Sequence, residues 1–452
     1  MVFLRCGVAA GCSLPDRAAR CGAPLGTQPP EFDPQHKNTM PKEIVHIGLD
    51  VHAITISIAI AESSGEARHY GSISSGLHSV DKVLAKLRKA HPGAELRFCY
   101  EAGPTGFVLA RHFERKTITC LVAAPSLIPS RSGDRIKTDR RDALKLARLF
   151  RAGELTAVNV PDPIDESMRD LARARTDAVA DQRRQRSQLK AFLLRNGYHY
   201  SGKTSWNATH LSYLRSLTLT HAAQRAVLED TLKALESAGE RILRLEESME
   251  ALLEDWHMKP VVQALMGMRG FALVGAMVVV SELGGAWRFE HPRQLMAYLG
   301  LVPTESSSGE RRRQGSISKT GNGHARWIMI EASHHYRLEP GVNSHLSRRQ
   351  EGLSEEVKAC AWKAQTRLHK RMKQLLARGK QRNKAQVAVA RELTGFVWHI
   401  FQIMARQMGV KTSDTVTAKP TQPPAQTTKT YQLKATGKGK SRKVRPTITS
   451  CP

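Results

Sequence analysis

No stretch of this chain is apolar for long enough to span a bilayer. The most apolar late segment, residues 387–404, is interrupted by Arg391, Glu392 and His399 and is expected as a packed helix. Paired cysteines are lacking as well. The seven cysteines, Cys6, Cys12, Cys21, Cys99, Cys120, Cys360 and Cys451, show no CxxC pair and no Cys/His zinc spacing. That argues against a zinc-finger or disulfide framework and suits a reducing compartment, so a cytoplasmic protein is expected. Cys99 and Cys120 fall in strand-like runs, as small core residues do. A secretory signal is not evident: residues 2–10 are weakly apolar, Arg5 interrupts them, and the preceding region is not basic. Residues 1–40 lack periodicity and are expected as a disordered extension, with Met40 as the biological start. Acidic residues are scarce beside basic ones: 41 Asp and Glu against 69 Lys and Arg leave a formal charge of +28. A field of that size favours a polyanion, nucleic acid foremost.

What is present is a chain of 452 residues, 41% of them hydrophobic, enough for roughly two or three domains with real cores. From Ile44 to Ala61 the pattern predicts two strands meeting near Asp50 to Ala53. Asp50 is a lone acid in an apolar run. A buried carboxylate without a partner costs several kcal/mol, so a partner or a metal is expected beside it. Residues 79–90 are expected as a helix and Glu95–Glu101 as a strand ending in an acid. Residues 107–115 are expected as a helix and 118–123 as a strand. Asp139 and Asp142 then open an amphipathic helical pattern running to Phe150; three residues apart, they share a face. The order of elements suits an α/β, ribonuclease-H-like sheet over residues 41–160. Asp50, Glu101, Asp139 and Asp142 become a candidate Mg²⁺ set, because Mg²⁺ takes oxygen ligands. Two such ions, held together, can activate a nucleophile and stabilise the leaving oxygen of a phosphodiester. The plainer readings are a turn acid, a salt-bridge partner, and helix-start aspartates that favour the macrodipole.

Pro161 and Pro163 mark a boundary. Residues 166–196 and 222–256 read as long charged helices, a coiled coil or antiparallel pair, making a connector over 161–258. Arg169, Arg173, Arg175, Arg183, Arg184, Arg186 and Arg195 on the first are expected to serve dimerisation and phosphate contacts. Residues 259–408 read as a mainly α domain. Gly267 and Gly270 give it a start like that of a helix-hairpin-helix module. Residues 304–326 read as a polar Ser/Gly loop, three arginines, a Lys-Thr-Gly-Asn turn and a helix from about His324. Arg311, Arg312, Arg313, Lys319 and Arg326 are the candidate phosphate neutralisers. A basic phosphate-binding loop without covalent chemistry is the plainer alternative. Residues 409–452 are expected as a disordered basic tail.

The motifs Gly48-Leu-Asp-Val-His52, Tyr100-Glu-Ala-Gly-Pro-Thr-Gly106, Lys137-Thr-Asp-Arg-Arg-Asp-Ala143, Met268-Arg-Gly270, Tyr298-Leu-Gly-Leu-Val-Pro303, Ser307-Ser-Gly309 and Ile317-Ser-Lys-Thr-Gly-Asn322 occur in that order. Together they resemble the one-ten family of insertion-sequence transposases over residues 44–400. The resemblance implies a RuvC-like DEDD domain followed by a transposase domain. It implies that Asp50, Glu101, Asp139 and Asp142 bind Mg²⁺, and that the nucleophilic serine is Ser308, with Ser307 in reserve. It further implies strand cutting and rejoining through a serine-linked intermediate, with donor and target DNA and a structured noncoding guide RNA as partners. The implied assembly is a dimer that pairs into a tetramer, with each site shared between subunits. Two other functions stay open: a structure-specific nuclease using metal-activated water, and a nucleic-acid-binding scaffold without activity.

Overall fold

The computed structural model describes residues 43–129, 138–308 and 311–410. The expected N-terminal extension and, from residue 411, the basic tail lie outside the described residues, as do Lys137 and Gly309 of the motifs.

Strands β1 (Ile44–Val51), β2 (Thr55–Ala61) and β3 (Arg68–Ser74) form an antiparallel meander. Helix α1 (Leu77–Ala90) leads to β4 (Glu95–Glu101), α2 (Val108–Arg115) to β5 (Cys120–Ala123), and α3 (Asp139–Arg151) follows. The sheet order is β3-β2-β1-β4-β5, with β4 parallel to both β1 and β5. This is a mixed five-stranded sheet with helices on both faces. Alternation along β1 sends Val45, Ile47 and Leu49 to one face, where Val80, Leu84 and Leu87 of α1 and Phe113 of α2 complete the core. The opposite face is lined by small residues. Gly48 and its neighbours Ala59 and Ala61 on β2 lie under Ala143 and Ala147 of α3.

Helix α4 (Pro163–Arg195) spans 33 residues, about 50 Å at the usual rise. Asp162 caps it, accepting from the Ile164 amide, and Pro163 takes the first position, where no amide donor is needed. After α5 (Ala208–Ser216), α6 (Ala222–Leu253) returns along it. The ion pairs Arg175–Glu246 and Asp181–Arg241 make the two long helices antiparallel. At the far end Leu189, Leu193, Leu214, Leu228 and Leu235 form a small core of their own. At the near end Met168 and Ala172 of α4 and Met249 of α6 enter the large core of the helices that follow.

Those helices are α7 (Lys259–Met266), α8 (Leu273–Leu283), α9 (Pro292–Tyr298), α10 (Gly323–Ser333), α11 (Ser344–Gln350), α12 (Glu355–Ala377) and α13 (Arg382–Gln407). Helix α13 supplies Val389, Leu393, Val397, Ile400 and Phe401 at helical spacing and is buried along that stripe. Between α9 and α10 the stretch expected as a polar loop is instead a hairpin, β6 (Pro303–Ser308) paired with β7 (Arg311–Ile317). Both faces of these strands are polar, so alternation could not reveal them; cross-strand pairing forms them. Among the described residues, no helix is long and apolar enough to cross a membrane.

Candidate active site

The fold carries the expected acids from three separate segments to one end of the sheet. Leu49 pairs with Tyr100, so Asp50 and Glu101 follow side by side at the C-terminal ends of the adjacent parallel strands β1 and β4. Both belong to the face that α3 covers. Helix α3 runs back along β1: Ala143 and Ala147 sit over Gly48, and the Phe150 ring meets the His46 ring edge-on at 5.1 Å. Its first turn, with Asp139 and Asp142, therefore arrives beside Asp50. Thr138 fixes the helix start, its side chain accepting from the Arg141 amide.

The lone acid in the apolar run does have a partner. His52 Nε2 lies 3.2 Å from Asp50 Oδ2 and 3.5 Å from Asp139 Oδ1. One ligand atom from each of Asp50, His52 and Asp139 falls within 4.8 Å of the others, the spacing of a cation site. Among the described residues this is the one such group. Glu101 is exposed and Asp142 half-buried, and their carboxylates lie outside it. Burial pushes the Asp50 carboxyl above its ordinary value; His52 opposes the shift, and the charges of Asp142 and Asp139 add to it. A carboxylate crowded by two others invites a cation. His52 is a site residue that the acid pattern alone does not reveal. The available signal was its position two residues after Asp50, since alternation sends both to one face.

Ser307 and Ser308 lie near the end of β6, both exposed. Being consecutive in a strand, they project to opposite faces. Ser307 Oγ donates to Glu305 Oε1 at 2.9 Å, and Ser308 pairs across the hairpin with Arg311. Among the described residues, no hydrogen bond joins either serine to the four carboxylates. Of the candidate phosphate neutralisers, Arg313 and Lys319 are exposed, and the side chains of Arg311 and Arg312 lie outside what is described. Arg326 is engaged within the fold, its Nη1 donating to Leu299 O at 2.9 Å and Thr320 O at 3.0 Å. Those bonds brace the turn that leads into α10. Gly300 allows that turn to close, since a Cβ there would lie 2.3 Å from Thr320 O. The arginines of α4 divide similarly. Arg169, Arg173, Arg175 and Arg184 form ion pairs within the chain, and Arg186 stacks 5.3 Å from the Trp206 ring centroid.

Two family models match the chain. One, described as a transposase of the IS116/IS110/IS902 family, covers residues 262–340, and the other, a DEDD transposase of the IS110 type, covers residues 47–196. A Sinorhizobium fredii protein named as a transposase, y4qE, is 42% identical over 360 residues, 78% of this chain and 87% of that protein. The transposase for insertion sequence element IS1533 of Leptospira borgpetersenii is 28% identical over 345 residues, 75% of this chain and 99% of that protein. The first model spans the hairpin with its serines, and the second spans the sheet with its carboxylates. The chain belongs to the IS110/IS116/IS902 family of insertion-sequence transposases.

Proposed function

We propose that this transposase cuts and rejoins DNA strands through a serine-linked intermediate, with Ser308 as the nucleophile. In this reading Asp50, Glu101, Asp139 and Asp142 hold Mg²⁺. The observation that carries it is the gathering of Asp50, His52 and Asp139 within 4.8 Å at the end of the sheet where Glu101 and Asp142 also lie. The donor set fits the ion: carboxylate oxygens suit a hard divalent cation, and the single imidazole also suits Mn²⁺. A cation bound there would orient a phosphodiester and stabilise charge on its leaving oxygen. Asp50, His52 and Asp139 would hold it, and His52 already lies within 3.2 Å of Asp50 Oδ2 and 3.5 Å of Asp139 Oδ1.

The serine step is a displacement at phosphorus. The Ser308 hydroxyl loses its proton, its oxygen bonds to phosphorus, and one DNA phosphorus–oxygen bond breaks, the departing sugar oxygen taking up a proton. Attack by a DNA hydroxyl on the serine ester reverses the exchange and rejoins a strand. Arg313, exposed and paired across the hairpin with Ser306 two residues before Ser308, is proposed to neutralise the phosphate, with Lys319, exposed beyond the hairpin base, proposed for the flanking strand. Because the serines and the carboxylates sit on separate units, the complete site is proposed to form between subunits of a dimer that assembles into a tetramer. A structured noncoding RNA is proposed to direct donor and target choice.

The test is a denaturing gel of the full chain with Mg²⁺, the guide RNA and end-labelled donor DNA. The expected result is a protein–DNA band, lost in Ser308→Ala and retained in Ser307→Ala. Loss only in Ser307→Ala would move the role to Ser307, whose hydroxyl Glu305 already accepts from. Nicked DNA without any adduct would establish the second reading, hydrolysis by metal-activated water, which is favoured by the lack, among the described residues, of a hydrogen bond from Ser308 to the carboxylates.

A further inference from the structure

Away from the carboxylates, a cavity of about 310 Å³ opens between α4 and the first turn of α10. Thr176, Val179, Ala180 and Arg183, at helical spacing on α4, form one wall, and His324 and Trp327 on α10 form the other. Trp327 stands out in its surroundings. Its neighbours Ile328, Met329 and Ala332 face the core, yet Trp327 itself remains 41% exposed beside the notch. Arg183 is exposed too and, among the described residues, forms no ion pair, whereas Arg173, Arg175 and Arg184 around it do. The notch thus combines an open aromatic face, a small apolar floor and a cationic rim.

That combination selects its occupant. A volume near the lower end for ligand pockets, roughly 300 Å³, suits one ring system rather than a duplex. An indole binds a planar π-face, and a base offers that face only when unpaired. An unengaged guanidinium beside it suits the phosphate of the same nucleotide. The net charge of +28 concentrates such strands near the surface. Transfer of a DNA strand requires bases at the crossover to leave one partner before meeting the next. We propose that the α4–α10 notch binds one unpaired nucleobase of a DNA strand, stacked on Trp327 with its phosphate against Arg183. The proposal requires only that the chain exchanges DNA strands. It does not depend on which serine, or whether a serine, is the nucleophile.

The experiment uses the full chain and a short single-stranded DNA carrying 2-aminopurine, whose fluorescence falls on stacking, with anisotropy reporting affinity. The wild-type chain is expected to quench the probe. Trp327→Ala should abolish the quench and weaken single-strand binding about five- to a hundredfold. Trp327→Phe should keep most of both, and an abasic strand should bind wild type and Trp327→Ala alike. Arg183→Gln should weaken binding and reduce the salt slope by about 0.7. Several results would overturn the assignment: an unchanged quench in Trp327→Ala, an equal loss for duplex DNA, or tighter Trp327-dependent binding of an RNA strand. A change of sedimentation in Trp327→Ala, with unaltered circular dichroism, would also overturn it by showing that a second copy fills the notch.

Discussion

Asp50 is held in an arrangement that opposes folding and favours ligation. Its carboxyl is raised above the ordinary 3.8, by burial first, against the opposing charge and hydrogen bond of His52. Between the ordinary and the raised value, the folded chain keeps a proton that the unfolded chain has lost. Folding stability therefore falls as pH rises through that window. Asp50→Asn should raise Tm at neutral pH in the absence of divalent cations and flatten that pH dependence. It should also remove the rise in Tm that Mg²⁺ or Mn²⁺ brings to the wild type. Thermal melts with and without cation check both. Equal stabilisation of the two proteins by cation would place the ion elsewhere. Asp50 was legible in the sequence because an acid in an apolar run needs a reason. His52 was legible only as a residue two places after Asp50, and its role stays hidden until α3, packed over that same face, brings Asp139 beside it.

Helix α3 can deliver Asp139 only because the sheet beneath it is made of small residues. A Cβ on Gly48 would lie 2.4 Å from Ala147 N and 2.5 Å from Ala143 O, both backbone atoms that cannot swing aside. Gly48→Ala should therefore push α3 off the sheet, costing about 1–3 kcal/mol in urea unfolding. It should also weaken cation-dependent stabilisation, since Asp139 leaves Asp50. A variant with wild-type cation response would show that α3 is not what positions the site. At this scale the strands and helices flanking the acids could be read from periodicity. The hairpin carrying Ser307 and Ser308 could not, because Glu305, Ser306 and Ser307 oppose Gln314, Arg313 and Arg312, and no apolar alternation marks either strand.

The long antiparallel pair meets the serine-bearing unit through the apolar contacts of Met168, Ala172 and Met249 and through a buried carboxylate. Arg173 on α4 donates to both oxygens of Glu282 on α8, at 2.7 and 2.9 Å, and Asn322 Nδ2 adds a third bond at 2.7 Å. Asn322 also caps α10, so three elements meet at Glu282. Burial works against ionisation there, but the bonds from Arg173 and Asn322 outweigh it and hold Glu282 below the ordinary carboxylate range. The stability it contributes is thus full above the ordinary value and lost as pH falls through the depressed one. Glu282→Ala should cost about 2 kcal/mol, because Asn322 and Arg173 lose their acceptor while Arg173, itself 43% exposed, recovers water. The penalty should shrink in acid, where the wild type loses the same contribution. Urea unfolding at neutral and acidic pH measures it, and a loss independent of pH would mean that Glu282 acts by volume rather than charge.

The sequence by itself determined what repeats locally: the alternation of the first strands, the long helical stripes, the excess of positive charge, and the four acids in order along the chain. These are short-range patterns, set by which side chains water excludes and by the backbone period that aligns them. Only the tertiary structure decided what each polar residue meets. It paired His52 with Asp50 and Asp139, engaged Arg173 and Arg326 within the fold, and left Arg183 and Trp327 open at the same notch. Partners far apart in sequence are brought together by the packing of whole elements, and no local pattern records that geometry.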